Sequence, residues 1–275
     1  MKSRRQALRS LFALAASATV AGARRAWAQM PPMGDFADHE KLDREQVMAR
    51  LAEATVARPA DFYAKNLSGL KLAGLDFKRA NLSAAVLNGA DLSGANLTGC
   101  NLTVSFAEHA DLRNARLRDA QMFSMQMAGA DLRGADLTGA RFIGDLAHAD
   151  LRGARLAGLD GAADMKNQSM GLMHAVITSA DLSHADLRGA DLSRADFSFS
   201  TLAGANLRAV RIFGGDFSGT SLAGADLTDA DLRESKFIDT DFTGADLTRA
   251  DLSGSVVRNP IGLETTRRQG TLGLP

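Results

Sequence analysis

The chain has 275 residues and is formally neutral, with 32 basic and 32 acidic side chains and 5% aromatics. A single Cys excludes an intramolecular disulfide, and with one Tyr and one Trp a conventional aromatic-anchored core is not expected, so packing must hold the chain together. The neutrality joins two unlike parts: residues 1–28 carry six bases and no acid, leaving 26 bases against 32 acids, a charge of −6 that disfavours nonspecific binding to nucleic acid.

Residues 1–28 have the three parts of a secretory signal. Lys2, Arg4, Arg5 and Arg9 make the start basic, and 11–22 is a mostly apolar stretch. Ala26-Trp27-Ala28 is a small-x-small site, which predicts cleavage after Ala28. As a helix the apolar stretch spans about 18 Å, short of a bilayer core of roughly 30 Å, so no transmembrane segment is expected after cleavage. Ser3-Arg4-Arg5-Gln6-Ala7-Leu8-Arg9 resembles the twin-arginine export signal, with Ala7 in place of the usual Phe. An ordinary secretory signal is the alternative. Both imply a bacterial protein exported to the periplasm or beyond, starting at Gln29.

The N-terminal segment 29–64 comes next. Met30-Pro31-Pro32-Met33-Gly34 is not regular structure. Asp43 offers an N-cap with Gln46 three residues on, and Val47, Met48, Leu51 and Ala54 recur at helical spacing until Pro59. A helix over about 43–56 is expected, capping one end of the repeats that begin at 65.

From 65 to 257 the sequence falls into blocks of five, such as Ala90-Asp91-Leu92-Ser93-Gly94 and Ala95-Asn96-Leu97-Thr98-Gly99. The centres are large and apolar from Leu67 to Phe142, only Ala107 being undersized, and again from Ile177 to Val257. Two residues before each centre the side chain is usually small, mostly Ala, and between them Asp or Asn is the commonest residue. Five matches neither the helical 3.6 period nor plain alternation. A short extended piece followed by a corner satisfies it. Four such sides make a coil of about 20 residues that buries its centres against the next coil. Leu92, Leu97, Leu102, Leu132, Leu182 and Leu187 belong to that core. Phe197, Phe217 and Phe237, spaced by 20, should stack as an aromatic ladder. Asp91, Asp111 and Asp131 share the same spacing, with Arg113 and Arg133 beside them.

These blocks resemble the pentapeptide-repeat family, A-(D/N)-L-x-x, over most of the chain, from 65 to 257. The resemblance implies an all-β fold, a right-handed quadrilateral β-helix, here with the short N-terminal helix at one end. It also implies a binding or structural role and not catalysis. Some members bind DNA gyrase as mimics of duplex nucleic acid, loops that break the coil matter in topoisomerase-protecting members, and dimerisation through the C-terminal end occurs.

The rhythm breaks once. Phe142 to Leu146 is short by one residue and Leu156 to Ile177 long by one, so 157–176 reads as an imperfect coil or a bulged loop. It is the first choice for a site, because loops carry function more often than the scaffold beneath them; drift in the array is the plain alternative. Met165, Met170, Met173 and His174 fall within it and raise the possibility of Cu(I) binding by soft ligands. Met122, Met125 and Met127 read instead as core, Cys100 as a small core residue, and His109, His148 and His184 as exposed corners. No phosphate loop, nucleophile–base pair or zinc signature is present, and no cofactor is expected. Asn259-Pro260 ends the repeat, with 258–275 as cap and tail and 265–275 loose. The expectation is therefore a non-catalytic exported rod that binds an unidentified protein or serves as a structural element. A topoisomerase-binding duplex mimic and a periplasmic copper binder are the alternatives.

Overall fold

One block of five residues finds an acceptor for each of its backbone N–H groups, three of them on neighbouring coils and two within the block. Asp91 N–H donates to Leu70 O (2.9 Å) on the preceding coil, while Leu92 and Gly94 donate to Asp111 O (2.7 Å) and Arg113 O (2.8 Å) on the next. Ala95 N–H closes the corner on Leu92 O (3.0 Å), and Ser93 N–H donates to Asp91 Oδ1 (3.1 Å). Where Asp or Asn precedes the centre, its side chain thus supplies the one acceptor that the backbone does not. The same bond recurs at Asp111, Asp131 and Asp145.

The computed structural model describes residues 38–162 and 174–274. Parallel bridges link successive coils at four places per turn, as in Asp91 to Asp111, Asn96 to Arg116, Asn101 to Gln121 and Phe106 to Gln126. Bridges and turns dominate; the regular strands are short. One ladder climbs in ten steps from Asp61 to Leu272, about 48 Å at the usual strand spacing of about 4.8 Å. The coil therefore extends beyond 65–257 at both ends. Strand β1 (Glu40–Lys41) pairs with β2 (Lys65–Asn66) below the first full coil. At the other end Ile261, Arg267 and Leu272 bridge to Asp241, Asp246 and Asp251, around a short 3-10 turn at Leu263–Thr265. The expected loose tail at 265–275 is instead a last coil through Leu274, whose atypical sequence pairs on one side only.

Helix α1 (Arg44–Glu53) starts at a capping box, with Gln46 N–H donating to Asp43 Oδ1 (2.8 Å) and Asp43 N–H to Gln46 Oε1 (2.9 Å). It ends before the expected 56 because Ala54 is extended and Thr55 and Arg58 hydrogen-bond each other's backbone. Val47 and Leu51 join the core cluster with Phe62, Leu67 and Phe77, whereas Met48, expected on that stripe, is 41% exposed. Lys78 Nζ donates to Leu51 O (2.8 Å) and Ala54 O (3.1 Å), satisfying carbonyls at the helix end.

Behind α1 the core is a continuous column. The repeat centres Leu92, Leu97, Leu102, Leu132, Leu182 and Leu187 are all buried, as are Met122, Met125 and Met127. Phe197 stacks on Phe217 (5.2 Å, 8°) and Phe217 on Phe237 (4.9 Å, 9°), so the regular sequence spacing produces the ladder it implies. Where Ser or Thr replaces the small apolar residue, its hydroxyl is satisfied: Thr220 and Thr240 donate to Phe197 O and Phe217 O, each at 2.7 Å. Cys100 is fully buried, and burial pushes its thiol up to about 12. It is packing and not a nucleophile.

No helix among the described residues is long and apolar enough to cross a membrane.

Candidate functional site

Strand β3 (Gln121–Gln126) and strand β4 (Arg141–Asp145) mark the middle of the rod. Phe123 pairs with Ile143 but Met125 with Gly144, so Ser124 has no counterpart and the second strand runs straight through a corner. This is the missing residue between Phe142 and Leu146. The next coil departs at the same corner in the opposite sense. Asp160 still bridges Arg141 and Asp191, Leu159 is buried, and Gly161 stands at a repeat centre. The chain rejoins at Ala175 and Val176, and Val176 bridges back to Asp145 across the extra length. The break is thus not 157–176: 157–161 belong to a regular coil, and the insertion is confined to 162–174. An ideal Cβ on Gly161 would lie 2.7 Å from Leu192 Cδ2 and 3.0 Å from Phe142 O, so that centre is held empty of a side chain by its neighbours.

Met165, Met170 and Met173 lie outside the described residues, as do Arg4, Arg5 and the Ala28 junction. His174 is half-buried beside buried Ala175. Among the described residues no group of three or more His, Cys, Asp or Glu could hold a metal. His109, His148 and His184 are exposed at corners with φ of 54°, 60° and 59°. An ideal Cβ on Gly129 would stand 2.5 Å from His109 Nδ1, and one on Gly204 2.7 Å from His184 Nδ1. Glycine one coil on makes room for the leaning imidazole.

The irregular coil carries one column unbroken. Asp91, Asp111, Asp131, Asp150 and Asp181 are successive rungs of one ladder. Arg113 pairs with Asp111 (2.6 Å) and reaches Asp131 (3.7 Å); Arg133 pairs with Asp131 (2.6 Å) and reaches Asp150 (3.5 Å); Arg152 pairs with Asp150 (2.6 Å) and reaches Asp181 (3.7 Å). The like charges that stacking brings together are thereby separated by cations in a staircase up one side. Sequence spacing revealed its first steps. The rest needed the unequal offsets from Asp131 to Asp150 and from Asp150 to Asp181 that the coil imposes. A second staircase places Arg211 between Asp191 and Asp231 (3.6 Å each) and Arg233 between Asp231 (2.7 Å) and Asp251 (3.8 Å).

Hydrogen bonds from Arg113, Arg133 and Arg152 hold Asp111, Asp131 and Asp150 below the usual carboxylate range. A carboxylate depressed in the folded state stabilises above its unfolded value, about 3.9, and that stability is lost as pH falls through the lower folded value. The thermal midpoint should therefore stay level from neutral pH down to about 5 and drop below about 4. A Ser triple variant of Arg113, Arg133 and Arg152 should show a shallower drop. Equal drops in both proteins would remove the staircase as the cause.

A family model described as Pentapeptide repeats, in 8 copies, matches residues 66–103, 105–142, 172–211 and 216–254. The chain belongs to the pentapeptide-repeat family. Among solved structures it is similar to HetL, a pentapeptide repeat protein involved in heterocyst differentiation regulation from the cyanobacterium Nostoc sp. strain PCC 7120. Identity is 25%, covering 84% of this chain and 96% of that one, with a TM-score of 0.43. It is also similar to full-length QnrB1, a plasmid-mediated fluoroquinolone resistance protein, at 18% identity, covering 85% of this chain and 89% of that one, with a TM-score of 0.43. A pentapeptide repeat protein from the Arabidopsis thaliana thylakoid lumen is 24% identical over 61% of this chain and 71% of its own, with a TM-score of 0.13. A comparison with curated proteins finds no match. The pentapeptide repeat accounts for the ladders and core.

Proposed function

We propose that this pentapeptide-repeat protein is an exported, non-catalytic rod, a right-handed quadrilateral β-helix that binds a protein partner along its ion-paired side. The observation that carries the reading is the Asp111-to-Asp181 staircase. It holds Arg donors and Asp acceptors at a fixed spacing on a stiff support, and Arg113, Arg133 and Arg152 keep 48%, 44% and 50% of their side-chain surface exposed. Charges fixed in this way select a complementary surface without paying to order flexible side chains. Export rests on the basic start, the apolar stretch 11–22 and Ala26-Trp27-Ala28.

The test is a pull-down from the periplasmic fraction with wild type, the Ser triple variant of Arg113, Arg133 and Arg152, and a variant lacking 163–173. Ser already occupies the equivalent sites at Ser93 and Ser183, so the triple variant should fold. Loss of the same partner in the triple variant supports the reading; its retention in both variants defeats it. Changing Arg4 and Arg5 to Lys should block export if the signal is of the twin-arginine kind. Unimpaired export would leave an ordinary secretory signal.

The five stacked Asp residues favour a second reading, a duplex nucleic-acid mimic. Arg pairing dilutes the negative field, and export would separate the protein from a topoisomerase. Finding the mature protein in the cytoplasm would turn the balance toward the mimic. The last coil leaves Val256, Ile261 and Leu272 about half exposed, a surface suited to end-to-end pairing with a second copy. Light scattering that returns a monomer at high concentration would exclude it.

A further inference from the structure

One edge of the rod carries no charge over three successive coils, in a chain with 23% charged residues. The corner leading into the ladder of Val86, Phe106 and Gln126 is built from Ser83-Ala84-Ala85-Val86, Thr103-Val104-Ser105-Phe106 and Phe123-Ser124-Met125-Gln126, and Asp145 on the next rung ends the uncharged stretch. Val86 and Phe106 occupy the outward position that the repeat elsewhere gives to Asp or Asn. Yet Val86 is 1% exposed and Phe106 9%, whereas Asp91 and Asp111 on the next side are partly open. Val104 holds a φ of 59°, costly for a β-branched residue, so an apolar side chain is kept there against backbone preference.

The edge begins where the described chain begins. Lys41, Asn66, Val86 and Phe106 are consecutive rungs of one ladder, so Lys41 and Val86 lie two rungs, about 10 Å, apart. Residues 29–37, immediately upstream, include Met30, Met33 and Phe36 and carry one charge, Asp35. Nine residues reach about 30 Å when extended, ample for the distance. Pro31 and Pro32 lack N–H groups, so the segment suits lying on side chains better than adding a strand. The insertion 162–174 leaves the same edge from its far end, but Val176 stands four rungs from Val86 and the insertion contains Asp164 and Lys166.

We propose that residues 30–36 dock along this uncharged edge, with Met30, Met33 and Phe36 against Val86 and Phe106. The chain itself then occupies one side of the rod, and that side is closed to partners. A Val86→Cys variant of the full chain tests this by its rate of thiol labelling, since Cys100 is buried and stays silent. Changing Met30, Met33 and Phe36 to Ser should speed labelling about tenfold or more, as expected when a local contact is removed. Equal rates with and without those changes overturn the proposal. So does acceleration caused by Ser at Met165, Met170 and Met173 instead, which would assign the edge to the insertion. Labelling that slows as protein concentration rises would assign it to a second copy. Phe106→Cys serves as the reporter if the first variant melts early.

Discussion

Phe217→Ala should be the most damaging single truncation in the core, costing about 4–5 kcal/mol. The Phe217 ring is fully buried between Phe197 and Phe237, and Phe237 also meets Phe242 at 5.4 Å and 47°. Removing it leaves a hole that the coils cannot close. Phe197 N–H to Asp216 O (2.8 Å) and Phe217 N–H to Lys236 O (2.7 Å) belong to the ladders that set the coil spacing. The cost therefore lies in the upper part of the range for Phe to Ala, and two stacked pairs are lost as well. At about 2–4 °C per kcal/mol for a chain of this size, the thermal midpoint should fall by roughly 10–15 °C. Phe217→Leu keeps most of the volume and should cost about 1.5 kcal/mol. Equal losses in the two variants would show that the volume Leu restores contributes nothing here. Coils on the C-terminal side should also lose hydrogen-exchange protection first, because repeat arrays are coupled through nearest neighbours.

Gly144→Ala should cost about 3 kcal/mol although it adds a single methyl group. An ideal Cβ there would lie 2.1 Å from Met125 O and 3.0 Å from Met125 N, both backbone atoms of the preceding coil. Backbone cannot rotate aside as a flexible side chain can, so the ladder between β3 and β4 must part. Gly153→Ala is the control. Gly153 has a φ of 64° and open space around its Cβ position, so the change meets only the left-handed backbone penalty of about 1 kcal/mol. Urea unfolding compares them. A Gly144→Ala protein no less stable than Gly153→Ala would mean that β4 does not run straight through that corner.

Gly144 also shows how far the sequence could be read. The missing residue before Leu146 was visible as a spacing, because the period of five is local and each block closes its own corner through the Asp or Asn side chain. The α1 capping box, the buried centres and the Phe ladder were legible for the same reason: each depends on residues a few positions or one fixed coil apart. The extent of the break was not. Leu159 and Asp160 continue the coil as ordinary repeat residues, and Gly161, lacking a large centre, concealed it. The final coil was hidden likewise, since Ile261, Arg267 and Leu272 bridge without an A-(D/N)-L pattern. Val86, Phe106 and Gln126 break the polar pattern at a spacing of 20, but only the ladders show that they share one edge.

The sequence by itself determined the five-residue side, the four-sided coil, the buried column and the helix at the start. These follow from backbone hydrogen bonds and burial that most repeats satisfy in the same way. Which side each repeat occupies beyond residue 142 was decided only by the tertiary structure. The four sides share one motif, so a phase counted in fives is blind to a shift of two whole sides. That shift is made when Asp131, Asp150 and Asp181 become consecutive rungs. The upper steps of the charge staircase, from Asp131 through Asp150 to Asp181, are products of that alignment, because they depend on which side chains the ladders bring within reach of one another.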